Sequence, residues 1–192
     1  VSGFSSRGPA LANDADILKP DIAAPGTSIL AAVAPPSNSG RSFDLYSGTS
    51  MSAPHIAGLA AFMAAVHPRW TPQQIQSAMM TTAAPLKDAD GAASTDATAQ
   101  GAGMVNPRRF FNPGLFVTST AREWQRYLAG VGYQPNPGFP LEPIAAQDIN
   151  LPSMSKGQLT ASATFTRRFV ATRKGTWKVT ANVPGFEVTM DK

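Results

Sequence analysis

The sequence predicts an α/β domain that runs into part of a β-sandwich. Three features carry the prediction. Three short extended segments are followed by two helical patterns over residues 1–109. The run from Ile56 to Val66 is apolar or glycine at every position, which suits a helix buried on all sides. Residues 148–192 hold three β-rich runs broken by glycine and proline. Between these zones, residues 110–147 are rich in proline and aromatics and read as a connector.

Taken in order, Asp21–Ala24 and Ser28–Val33 are extended candidates on either side of a Pro25–Gly26 turn. Asp44–Tyr46 is a third, leading to Gly48. Ser50–Val66 reads as a helix. Its Pro54 is tolerated only near the first turn, where N–H groups have no partner within the helix. A second helix opens at Thr71-Pro72-Gln73-Gln74. Thr71 caps it, Pro72 suits the first helical position, and Gln74 completes a capping box. Ile75, Ala78, Met79 and Thr82 then share one face, so this helix should lie on the domain surface. Asp88–Gln100 is small and polar and reads as a loop. In the last zone, Gln158–Thr172, Thr176–Asn182 and Phe186–Met190 are strand candidates, punctuated by Gly175 and Pro184–Gly185. Three strands fall short of the roughly 100 residues of a full sandwich, so the β-domain is expected to be truncated or completed from elsewhere.

Composition excludes several functions. At 192 residues the chain suits one or two domains. The net charge of +4 arises in the second part: residues 1–109 carry seven acids and seven bases, and residues 110–192 carry five acids and nine bases. Those bases are scattered, with only Arg167–Arg168 and Arg173–Lys174 adjacent, which reads as a solvated basic face and not as a nucleic-acid site. The absence of cysteine removes disulfides, thiolate metal sites and a cysteine nucleophile. The apolar run Ile56–Val66 is too short to span a bilayer, so no membrane partner is expected. No signal peptide opens the chain, and residue 1 falls within a segment that reads as a loop, so the natural N-terminus is expected upstream.

The chemistry lies in Ser47-Gly48-Thr49-Ser50-Met51-Ser52-Ala53-Pro54-His55-Ile56-Ala57-Gly58. A serine at the start of a rigid helix is well placed as a nucleophile. Free N–H groups and the positive end of the helix dipole both favour an oxyanion beside it. Gly48 lets a substrate backbone approach. The same residues also suit a plain helix cap, and physics alone does not separate the two.

This segment resembles the serine motif of the subtilisin-like serine proteases, Gly-Thr-Ser-Met-(Ala/Ser)-x-Pro with His-(Val/Ile)-Ala-Gly after it, at every one of those positions. Phe4-Ser5-Ser6-Arg7-Gly8-Pro9 and Lys19-Pro20-Asp21-Ile22-Ala23-Ala24-Pro25-Gly26 are similar to the stretches that precede the motif. His67-Pro68-Arg69-Trp70-Thr71-Pro72 is similar to the family's stretch on its C-terminal side. Gly101-Ala102-Gly103-Met104-Val105-Asn106-Pro107 resembles the end of the catalytic domain. Asn112–Leu115, Tyr127–Tyr133 and Asp148–Ser153 resemble plant-type subtilases and their bacterial relatives, in which a fibronectin type III-like domain comes next.

The resemblance implies the C-terminal part of a subtilisin-like parallel-sheet domain over residues 1–109, a connector over 110–147 and a truncated fibronectin type III-like β-domain over 148–192. It implies a secreted serine endopeptidase, with Ser50 as nucleophile, Ser47, Gly48 and Thr49 at the substrate cleft, a polypeptide as substrate, and no cofactor or metal. Family order places the triad aspartate and histidine before the serine, yet no histidine precedes Ser50. His55 points roughly 140° away from Ser50 on a helix, and His67 lies about 25 Å along its axis, so both read as structural. Asp21 and Asp44 are given no catalytic role, and Asp88, Asp90 and Asp96 read as a solvated loop and not a calcium site. Trp124, Tyr127 and Tyr133 read as packing against the catalytic part. The chain is therefore expected to lack the N-terminal half of its own catalytic domain and to be inactive and poorly soluble alone. The competing reading is a non-catalytic interaction module with a relic serine motif.

Overall fold

The computed structural model describes residues 1–11, 16–134, 138 and 140–191. Residues 12–15, 135–137, 139 and 192 of the three expected zones lie outside the described residues. Along the chain run β1 (Ile29–Ala32), β2 (Phe43–Tyr46), α1 (Thr49–Val66), α2 (Pro72–Thr81), α3 (Ala97–Gln100), β3 (Leu115–Phe116), α4 (Ala121–Gly130) and β4 (Val170–Ala171).

The expected strand regions Ser28–Val33 and Asp44–Tyr46 are present as an antiparallel hairpin. Ile29 faces Tyr46 and Ala32 faces Phe43. The expected Asp21–Ala24 segment makes only a single parallel bridge, Ala23 to Met104. The Ala23 N–H donates to Gly103 O at 2.8 Å and Val105 N–H donates to Ala23 O at 2.9 Å. This bridge is all the parallel pairing among the described residues, so a parallel sheet is represented here only by one edge contact.

α1 occupies the expected segment, but its burial differs from expectation. Only Met63 is buried, at 0% exposure, while Phe62 and Val66 are about half exposed, at 55% and 49%. One face packs: Ile56, Leu59 and Ala60 join Met63 against Ile75, Ala78 and Met79 of α2, with Ile22, Ala24, Val105, Phe110 and Phe116. The other faces meet solvent because this chain supplies a wall on one side only. The helix has 18 residues and a mean hydropathy of 1.2, so by length and composition alone it is long enough to cross a membrane. Pro54 also sits deeper than expected, at the sixth helical position. It has no N–H to give to the Ser50 carbonyl, which forgoes the usual bond from four residues on.

α2 forms as its sequence dictates. The Thr71 Oγ1 accepts from Gln74 N–H, and the Gln74 Oε1 accepts from Thr71 N–H at 2.8 Å, a complete capping box. Ile75, Ala78, Met79 and Thr82 are all buried. Ser77 is buried as well, because its hydroxyl accepts the Val117 N–H at 2.8 Å and so ties α2 to the end of β3. His67 ends α1 and stacks flat on Trp70, centroids 3.8 Å apart, with its Nε2 buried and unpartnered. The expected loop Asp88–Gln100 closes with one helical turn, α3, because the Asp96 carboxylate caps it through Ala99 N–H. The Thr98 hydroxyl, with Ala99 N–H and Arg7, holds the Asp96 carboxyl below its usual range despite the opposing effect of desolvation.

The connector is more ordered than its composition suggests. Thr120 and Glu123 form a second capping box and start α4. Tyr127 of α4 joins Ile17, Ala146 and Ile149 in a second core, with Trp124, Ala10, Ile144 and Leu151 around it. Trp124 and Tyr127 thus pack as expected, whereas Tyr133 is 61% exposed and does not.

Beyond Asp148, only Val170–Ala171 forms a strand among the described residues. It pairs antiparallel with β3, Leu115 facing Ala171. Thr176–Asn182 and Phe186–Met190 are exposed and make no ladder, since an extended segment becomes a strand only where a neighbour takes up its N–H and C=O groups. The proximal tail is nonetheless bound firmly. Asn150, 2% exposed, donates through Nδ2 to Thr118 O and Arg168 O at 3.0 Å each and accepts Arg168 N–H at 2.8 Å. The Arg167 guanidinium donates to the carbonyls of Gln147, Leu151 and Ser153 at 2.8–2.9 Å. Burial lowers the Arg167 pKa, against the pull of Asp148 and Glu123. Arg168 pairs with Glu123, and Lys156 pairs with Asp16 at 2.6 Å. Burial alone would raise the Glu123 carboxyl, but Arg168 and the Thr120 N–H and hydroxyl outweigh it and hold the group below the usual glutamate range.

Candidate functional site

Ser47, Gly48, Thr49 and Ser50 form one continuous stretch at the start of α1. Gly48 is the N-cap, and no side chain caps the helix. The Met51 and Ser52 N–H groups turn back to Gly48 O, at 3.0 and 3.4 Å. Those of Thr49 and Ser50 make no hydrogen bond among the described residues, as the first N–H groups of a helix cannot within it. Ser50 is exposed. An exposed hydroxyl therefore stands beside free backbone donors at the positive end of an 18-residue helix with no acid in its first turn. That arrangement can stabilise an oxyanion.

The stretch is fastened to residues 24–28. Gly48 N–H donates to Gly26 O at 2.8 Å, Ser28 N–H donates to Ser47 Oγ at 2.8 Å, and Ser52 Oγ donates to Ala24 O at 3.1 Å. Ser47 thus spends its oxygen on the chain itself. An open cleft of about 650 Å³ lies alongside, lined by Thr49, Ser52, Ala53 and Ile56 on the helix side and by residues 22–27 opposite.

Neither histidine serves Ser50. His55 Nδ1 is 2.8 Å from Met51 O, one turn back on the same helix, and His67 lies at the far end of α1. The acids are also engaged elsewhere. Asp21 pairs with Lys19 at 2.8 Å, and Asp44 pairs with Arg41 at 2.8 Å. Asp90 accepts the Ala92 N–H. Sequence reasoning misses Gly26 and Ser52, which meet at the fastening. The available signals are a glycine after Pro25, which reads only as a turn, and a second hydroxyl within the serine motif.

The model of the Subtilase family matches residues 1–103. Curated relatives include subtilisin-like protease SBT4.9 of Arabidopsis thaliana, 39% identical over 93% of this chain and 28% of that protein. Subtilisin-like protease SBT3.5 of the same plant is 38% identical over 99% of this chain and 27% of its own length. A solved structure, the prenylagaramide maturation protease PagA, aligns with 47% of this chain and 31% of its own at a TM-score of 0.39 and 23% identity, too loosely to weigh. The chain spans little more than a quarter of the length of these two relatives. On the length of the family match and on identities near 40%, the chain belongs to the subtilase family.

Proposed function

We propose that this chain is the nucleophile-bearing part of a serine endopeptidase. The observation that carries the reading is the exposed Ser50 hydroxyl on the uncapped N-terminus of α1, beside backbone N–H groups with no other partner. In the complete protein the Ser50 oxygen attacks a peptide carbonyl. A histidine outside this chain takes the hydroxyl proton, and the Ser50 N–H stabilises the oxyanion. The amine then leaves with that proton, and water hydrolyses the acyl-enzyme. Ser47, Gly48 and Thr49 border the bound polypeptide.

By itself the chain lacks a base. In subtilisin, from which the figure is taken, loss of one triad member costs about 10⁴ to 10⁶ in turnover. The partner it needs is the rest of its catalytic domain. Supporting this are the exposed apolar faces of α1 and of the hairpin, where Leu30 and Leu45 are 67% and 57% exposed. The β-rich tail fits the start of a fibronectin type III-like domain, and its relatives' type fits a secreted protein. No metal-ligand cluster occurs among the described residues.

A fluorophosphonate probe tests the reading. The full-length natural protein should be labelled at Ser50 and its Ser50→Ala variant should not, while the 192-residue chain should label slowly or not at all. Equal labelling of wild type and Ser50→Ala would remove Ser50 from the mechanism. Fast labelling of the isolated chain would overturn its dependence on an outside base.

A further inference from the structure

We infer that Gly26 and Ser52 act as a coupled pair of positioning residues that set where Ser50 stands. The inference rests on the endopeptidase reading and deepens it. Three hydrogen bonds join residues 24–28 to residues 47–52, and Gly26 lies at their centre. A Cβ built on Gly26 would fall well inside contact distance of Ser52 Oγ, 2.9 Å from Gly48 O and 3.4 Å from Ser52 Cβ. Its backbone is not left-handed, so the position demands glycine for space and not for φ. Ser52 in turn is held by its bond to Ala24 O. The two segments are therefore packed backbone to backbone at the turn that bears the nucleophile.

Any side chain at residue 26 must push the Gly48 carbonyl and Ser52 outward. Ser50 lies between those two residues and moves with them. Misplacement by about 1 Å can cost on the order of 100-fold in rate. Gly26, Gly48 and Ser52 are not themselves members of the buried core, so the displacement starts outside it. The coupling has a signature: Ser52→Ala by itself releases one tie and should lower the labelling rate, yet it removes the atom nearest the new Cβ, so on the Gly26→Ala background it should raise that rate.

The test uses the full-length natural protein with fluorescein-labelled casein as substrate and a fluorophosphonate probe for Ser50. For Gly26→Ala we expect kcat and the labelling rate to fall about 100-fold, with KM within about threefold and an unchanged melting temperature. Gly26→Ala/Ser52→Ala should recover at least about tenfold of both rates. Should Gly26→Ala not fold, Ser47→Ala/Ser52→Ala removes two of the three ties without a clash, and about a tenfold loss of labelling rate is expected. Wild-type rates in Gly26→Ala, no recovery in the double variant, or wild-type labelling after loss of both ties would each overturn the inference. A Ser50→Ala variant that cleaves casein as well as the wild type does would instead overturn the endopeptidase reading on which it rests.

Discussion

Asn150→Ala is expected to loosen the whole attachment of the tail. Asn150 is 2% exposed and makes three hydrogen bonds, two to carbonyls of Thr118 and Arg168 and one from Arg168 N–H. Those bonds join three segments that are distant in sequence. At about 0.5–1.5 kcal/mol net per bond, with a further penalty for groups left without partners, the change should cost roughly 2–4 kcal/mol of local stability. That is about 30- to 700-fold faster opening. The assay is hydrogen exchange in the full-length protein, read at Thr172, whose N–H donates to Gly114 O at 2.8 Å and does not itself touch Asn150. Asn150→Asp sharpens the test. It turns the amide donor into a carboxylate facing two carbonyls, so at neutral pH it should open faster than the alanine variant. Exchange at Thr172 within about threefold of wild type in Asn150→Ala would refute the reasoning, and so would an aspartate variant slower than alanine.

Phe110→Ala should be among the costliest single changes, because Phe110 is fully buried at 0% exposure between Phe111 and the α1–α2 core; a loss of about 3–5 kcal/mol in denaturant unfolding is expected. The Glu123–Arg168 pair should make the tail acid-sensitive. Glu123 is depressed in the folded state, so its contribution is present above the ordinary glutamate pKa and fades as pH falls through the lower folded value. Protease nicking after residue 150 should therefore rise in acid in the wild type and depend less on pH in Glu123→Gln.

Sequence legibility depends on how local each signal is. Thr71–Gln74 announces α2, and the same signature stands at Thr120–Glu123, but there the proline-rich surroundings read as a connector. The two hairpin strands are legible as extended segments, but their pairing is not, because the turn read nearby, Pro25–Gly26, lies before the first of them. The serine motif is legible as a motif, yet its fastening is not, because Gly26 and Ser52 are 26 residues apart and meet only in space. The uniformly apolar surface of Ile56–Val66 speaks of neighbours on every side, and the chain itself provides them on one. The strand propensity of Thr176–Met190 likewise needs a pairing partner that no described residue offers.

Pro54 gives the turn that bears Ser50 a mechanical character of its own. Because Ser50 receives no bond from residue 54, the first turn has one backbone tie fewer to the rod behind it. Its bearings are instead in the frame, at Ala24, Gly26 and Ser28. The helix from His55 onward sets a direction, and the frame sets the reach. A lesion in that frame can silence Ser50 while circular dichroism reports an intact helix, so loss of function and loss of fold can be separated at this end of the molecule.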